Sequence, residues 1–327
     1  MEARRLPAAL ALLLLAATAL LALLGVAVGS LGWELPWGGA GVPDAVLWDI
    51  RLPRTAGAWL AGALLGLAGA VAQGLFRNPL ADPYLLGSAT GAAFGVALLL
   101  VLVGAMPSAA SWATQFGLTG AAFVGAVLAV LLTLGLARGV QHTLRLLLAG
   151  VIVGMLFGAF AALVMFWVPD ILRAMQAFML GTTGFVGWSG AGVLALALAA
   201  CLALAIATAP ALDALTLGES TAASLGVPLA RVRLLLVTAM ALATGAAVAQ
   251  VGLVAFIGLI APHAVRAAVQ PTHRWLLPLS ALAGGVLLLA ADVLARGLLA
   301  PREVPVGVLT AVLGGSYLLW LMHRRPL

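Results

Sequence analysis

Apolar positions along the chain gather into runs of about twenty residues, and the polar positions between them come in short clusters instead of alternating with them. A hydrocarbon core about 30 Å thick is crossed by about twenty apolar helical residues, with each backbone amide satisfied inside the helix. The runs lie near residues 6–28, 54–76, 84–104, 113–137, 144–168, 190–209, 232–253, 254–270, 275–299 and 305–322, and predict ten membrane-crossing helices. The first run, about Leu6 to Val28, exceeds the roughly 7–15-residue apolar core of a secretory signal and is read as a retained span. The least regular region is 232–270, where Gly252, Gly258, Pro262 and His263 interrupt the pattern, so two short or bent helices compete with one long one. Small residues recur at helical spacing, as in Gly62, Gly66 and Gly69-Ala70, which lets helices approach closely.

Composition agrees, with 64% hydrophobic and 8% charged residues, against about 25% charged in an ordinary soluble domain. All sixteen basic side chains are Arg and Lys is absent. That excludes a phosphate-cradling P-loop, which needs its Lys, and the Schiff-base chemistries that need a Lys amine. The single Cys201 sits in an apolar run, which rules out an intrachain disulfide or a thiolate cluster and fits a small buried hydrophobe. A pI of 11.2 and a net charge of +6 would suit nucleic acid, but the arginines are scattered singly at helix ends and read as topology signals. An even number of spans puts both termini on one side. If that side is the cytoplasm, eleven of the sixteen arginines fall inside, Arg4, Arg5, Arg77, Arg138, Arg145, Arg231, Arg233, Arg266, Arg274, Arg324 and Arg325, in keeping with the positive-inside rule.

Five polar constellations interrupt the runs. Arg51-Leu52-Pro53-Arg54 reads as an outer loop whose guanidinium groups either fork onto carboxylates or anchor a helix end. Gln73 precedes Arg77-Asn78-Pro79-Leu80-Ala81-Asp82-Pro83-Tyr84-Leu85-Leu86-Gly87, where two prolines forbid a regular helix and Asn78 and Asp82 offer caps for the next one. The stretch 213–228 holds Glu219 to Leu225, a short amphipathic helix between glycines, suited either to a cytosolic partner or to a solvated connection. Phe256 to Arg266 carries His263, which has no Cys, Asp or Glu nearby in sequence and reads as a packed histidine before a metal ligand. Asp292, the one acid deep in a predicted span, stands four residues before Arg296. An intramembrane acid suggests a proton or cation route, and the arginine one turn on offers it a structural partner instead. No paired carboxylates, His cluster or nucleophile with a base points to catalysis, and no metal site is expected.

In this order, Arg51 to Arg54, Gln73 with Arg77 to Pro83, Leu148-Ala149-Gly150, Leu215 to Glu219 with Leu225-Gly226, Phe256 to Arg266, Asp292 to Arg296, and Glu303-Val304-Pro305-Val306-Gly307 resemble the permease subunits of bacterial ABC importers for iron chelates, haem and cobalamin. The resemblance covers almost the whole chain. It implies an all-α polytopic membrane protein of about ten helices with the type II ABC importer permease fold, a single permease domain over residues 1–327, in the bacterial cytoplasmic (inner) membrane. It also implies a homodimer, two cytosolic ABC ATPases that hold the ATP and Mg²⁺, a substrate-binding protein outside, and no cofactor in this chain.

By the same resemblance Arg51, Arg54 and Arg296 meet carboxylates of the binding protein. Leu217, Gly218, Glu219, Ser220, Ala222, Leu225 and Gly226 form the coupling helix that enters the ATPase, and Asn78, Thr143 and Leu144 form an inner gate. Leu144 is bulkier than the family's usual residue, Phe178 replaces a frequent Trp, and Gly314-Gly315-Ser316-Tyr317 replaces a Pro-Phe ending. The expected cargo is a ferric siderophore, with haem or cobalamin as alternatives. A rival class is an ion-coupled secondary transporter, for which Asp292 alone qualifies. Spans two to five and seven to ten would form opposed repeats.

Overall fold

The computed structural model describes residues 2–29, 32–33, 43–103, 112–137 and 143–324, so Arg138 and Arg325 lie outside the described residues. The helices, in chain order, are α1 (Glu2–Ala27), α2 (Asp44–Val46), α3 (Leu52–Phe76), α4 (Ser88–Val103), α5 (Trp112–Leu136), α6 (Thr143–Trp167), α7 (Leu172–Leu180), α8 (Trp188–Thr216), α9 (Glu219–Ser224), α10 (Leu229–Val251), α11 (Ile257–Val269), α12 (His273–Gly297) and α13 (Val306–Arg324). All but α2, α7 and α9 fall on the ten apolar runs. Among the described residues seven helices are long and apolar enough to cross a bilayer, while Ser88–Val103, Ile257–Val269 and Val306–Leu321 are shorter apolar helices. The all-α expectation holds, and the described apolar helices number about ten. The only strands among the described residues are Val28–Gly29 and Gly32–Trp33, a two-residue antiparallel pair after α1.

The 232–270 region resolves into two helices. α10 ends where Gly252 takes a φ of 69°, and α11 starts after Phe256, also at 69°. Breaking a helix inside apolar surroundings frees backbone groups that need partners. Here the Leu253 N–H donates to the Phe178 carbonyl at 3.1 Å and the Thr182 N–H to Val251 at 2.8 Å. The Tyr84 hydroxyl donates to Val254 at 3.1 Å and Gln73 Nε2 to Leu259 at 3.2 Å. The break is thus stitched to α7, to the turn after α3, and to α3 itself.

α3 is the axis of the bundle, buried along nearly its whole length, with α8, α10, α11 and α12 around it. Small residues permit this crowding. Gly62 faces the Gly284 carbonyl of the antiparallel α12, and Gly66 faces that of Ser280. α3 also packs on α10, and α3 contacts α12 as α10 contacts α5. Cys201 is buried with its thiol toward the Ala239 carbonyl at 3.4 Å, a small core residue.

Two local expectations are corrected. Arg51 to Arg54 is not a loop: Asp44–Phe76 is one continuous helical stretch that passes through a π-helical turn at Leu47–Arg51, and Pro53 stands in the first turn of α3. Nor do Asn78 and Asp82 cap α4. Asn78 accepts from the Leu80 N–H at 2.9 Å, and Asp82 from the Tyr84 N–H at 2.8 Å, so both shape the turn and the 3-10 segment Pro83–Leu86 that precede α4. Burial pushes the Asp82 carboxyl up from the usual carboxylate range, opposed by that Tyr84 hydrogen bond.

Candidate functional site

Both ends of the bundle carry a polar constellation. At one end, the start of α3 and the end of the antiparallel α12 bring Arg54 and Arg296 onto Asp292. Arg54 donates through Nε (3.2 Å) and Nη2 (3.1 Å) to Oδ1, and Arg296 through Nη2 to Oδ2 at 2.6 Å. The Thr183 hydroxyl also donates to Oδ1. Glu303, in the connection before α13, takes the remaining edge of Arg54, at 3.0 Å from Nη1 and 2.9 Å from Nη2. Asp292 has no exposure and Arg296 1%, whereas the Glu303 side chain keeps 33% of its surface open.

Two arginines also hold the end of α1. Arg296 Nη1 donates to the carbonyls of Gly25 (2.7 Å) and Val28 (3.1 Å), and Arg51 Nη1 to Val26 at 3.0 Å. Cations on the last carbonyls of a helix satisfy acceptors that lack an intrahelical partner and oppose the negative end of its dipole. Sequence reasoning therefore placed Arg51, Arg54 and Arg296 at the same end and paired Asp292 with Arg296, as the structure does. It missed that Arg54 joins that pair, that Thr183 and Glu303 complete it, and that all three arginines are buried, at 6%, 8% and 1% exposure.

At the opposite end, α9 lies between Gly218 (φ 104°) and Gly226 (φ 79°), conformations that favour glycine. The helix seats Ala222, fully buried, on the bundle and leaves Leu217 and Leu225 64% exposed on its flanks. Ser220 lies on the exposed side, where its carbonyl accepts from the Ser224 hydroxyl at 2.8 Å. The Glu219 carboxylate lies 2.5 Å from Arg233 of α10 and 3.7 Å from Arg77, the left-handed residue that ends α3. Just upstream, Asp213 of α8 accepts from the His273 N–H at 3.0 Å and lies 2.6 Å from its Nδ1, at the first turn of α12. The imidazole covers Gly74 of α3. Four helices thus meet around the short helix.

Asn78 is exposed, Leu144 is 69% exposed at the start of α6, and the Thr143 side chain lies outside the described residues. His263 sits edge-on to the Tyr317 ring at 6.1 Å. Among the described residues no group of three His, Cys, Asp or Glu could hold a metal.

Ten apolar helices gathered around α3, with a short helix presented between glycines at one end, define a polytopic helical membrane protein. The chain matches the FecCD transport family over residues 11–324 and belongs to it; it is an ABC importer permease. It is 40% identical over 280 residues to the hemin transport system permease protein HmuU of Yersinia pestis, covering 85% of this chain and 83% of that one. It is 41% identical over 283 residues to the vitamin B12 import system permease protein BtuC of Citrobacter koseri, covering 86% and 84%. A solved structure described as an inward-facing conformation of a protein assigned to the metal-chelate type of ABC transporter superposes with a TM-score of 0.85 at 27% identity, covering 95% of this chain and 98% of that one. PsaBC from Streptococcus pneumoniae shares the fold, with a TM-score of 0.61 at 18% identity, covering 85% and 93%.

Proposed function

We propose that two copies of this chain form the membrane pathway of an importer that moves a metal chelate inward, driven by two cytosolic ATPases and loaded by an extracytoplasmic binding protein. The observation that carries this reading is α9, a helix seated through Ala222 that presents Leu217 and Leu225 outward, in a chain with no lysine for a P-loop of its own. Exposed apolar side chains on a short polar segment suit a protein partner, here a cleft of the ATPase. In this reading the α9 end faces the cytoplasm, both termini lie on that side, and the Arg51, Arg54 and Arg296 end faces the binding protein. Asn78, Thr143 and Leu144 close the inner mouth only when two chains come together.

The relatives named for hemin and vitamin B12 carry metal macrocycles, while the sequence resemblance favours ferric siderophores; a bulky metal chelate is the class they share. The test is uptake into proteoliposomes holding this chain with and without its ATPases, with ferric siderophore, hemin and cobalamin offered separately on the loaded binding protein. Uptake of one chelate that depends on internal ATP is expected. Uptake by the chain without an ATPase would make it an ion-coupled carrier and overturn the reading.

Docking yields a further prediction. Arg51 hydrogen-bonds the Val26 carbonyl and stands outside the Asp292 cluster, so Arg51→Gln keeps a donor while removing the charge. A charge-assisted hydrogen bond contributes about 1.5–3 kcal/mol, so affinity for the binding protein is expected to fall about tenfold or more. Surface plasmon resonance on the solubilised complex measures it, and unchanged affinity rejects the docking role of Arg51.

A further inference from the structure

We propose that Glu219 is a positioning residue, the pin that carries displacement of the short helix α9 into the body of the permease, and that it works through Arg233 and Arg77 within this chain. The inference rests on the transport reading above and assigns the force path inside it. α9 has six residues and is joined to the rest by Gly218 at φ 104° and Gly226 at φ 79°. Each of these joints takes a backbone conformation accessible to glycine and strained for other residues, so the chain turns sharply on either side of α9. A helix seated by the packing of Ala222 alone would tilt under load without moving what lies behind it. Some side chain has to stiffen the connection.

The Glu219 carboxylate is placed to do so. It opens α9 and reaches 2.5 Å from Arg233 of α10, whose side chain is 4% exposed, and 3.7 Å from Arg77 at the end of α3. α3 and α10 pack on each other at the centre of the bundle, so one carboxylate ties the short helix to both. The Arg77 contact leads straight to Asn78, whose N–H donates to the Gln73 carbonyl at 3.2 Å, and the Gln73 side chain in turn holds Leu259 of α11. Upstream, Asp213 binds His273, so the approach to α9 is itself fixed to α12. The two ties differ in exposure, since Arg233 is buried and Arg77 is 43% exposed. The Arg233 link bears the load because a pair shielded from water is screened less by salt and solvent than an open one.

The test uses the full assembly with its ATPases and binding protein in proteoliposomes, and reads cargo moved per ATP hydrolysed. Glu219→Gln and Glu219→Ala are expected to lower that ratio about tenfold or more while the ATPase stays bound, as followed by size-exclusion chromatography. The exchanged pair Glu219→Arg with Arg233→Glu is expected to recover a substantial part of it. A ratio equal to the wild type in Glu219→Ala overturns the proposal. So does loss of the ATPase from the complex in Glu219→Gln, which would make Glu219 a direct contact of the ATPase cleft. Failure of the unaltered assembly to take up any chelate with ATP would instead sink the transport reading, so the two failures are separable.

Discussion

Asp292→Asn is expected to destabilise the permease by about 3–5 kcal/mol, the usual cost of breaking a buried ion pair from one side. Asp292 is fully buried and accepts from Arg54, Arg296 and Thr183 at once. The amide removes the negative charge and turns one acceptor into a donor aimed at a guanidinium or a hydroxyl. Glu303 would then be the one acid left in this cluster opposite two buried arginines, and it contacts only Arg54. The consequence extends to α1, because Arg296 is held in line by Asp292 while it caps the Gly25 and Val28 carbonyls. Thermal unfolding of the detergent-solubilised protein, followed by tryptophan fluorescence, should show a clear drop in midpoint. Adding Arg296→Met to Asp292→Asn should recover only part of it, since the methionine relieves the unpaired charge and loses the α1 cap. A midpoint unchanged by Asp292→Asn, together with lost uptake, would mean that Asp292 carries protons or cations across the membrane.

The sequence disclosed much of this arrangement where the physics is local. Ten apolar runs are legible because crossing hydrocarbon demands a length no soluble helix needs to keep. Asp292 and Arg296 could be paired because four residues on a helix share a face. The bounds of α9 followed from the glycines around it. What stayed hidden depends on contacts between distant segments: Arg54 meets Asp292 across 238 positions, and Thr183 has no neighbour in sequence that hints at its acceptor. Arg51 to Arg54 looked like a loop because Pro53 breaks regular helices, yet Pro53 stands just past a π turn, and the Trp48 carbonyl accepts from the Trp188 indole at 2.7 Å. Asn78 and Leu144 are both exposed, and nothing local in their sequence says what would cover them.

Gly69→Ala is expected to be at least as damaging as the loss of Asp292, for a steric reason. A Cβ on Gly69 would overlap the carbonyl oxygen, carbonyl carbon and Cα of Gly258 on α11, all backbone atoms that cannot swing aside. Overpacking a close-packed core typically costs about 1–3 kcal/mol and occasionally more, with side chains absorbing part of the strain; here none can. The helices must separate, and α11 begins only after the Gly252–Phe256 break, so it has little continuous helix to hold it in place. Separation would also pull the Leu259 carbonyl from Gln73, a side-chain hydrogen bond that joins the two helices. Gly258→Ala should fail too, since its Cβ would press on Pro83 and the Leu65 carbonyl. The control is Gly192→Ala on α8, where the added methyl meets nothing within 4 Å; in a helix interior it should be neutral or stabilising by up to about 1 kcal/mol. Measured by thermal unfolding in one detergent, the two alanines should move the midpoint in opposite directions or leave Gly192→Ala unmoved. Equal effects would mean that the α3 and α11 backbones are not in contact in the membrane.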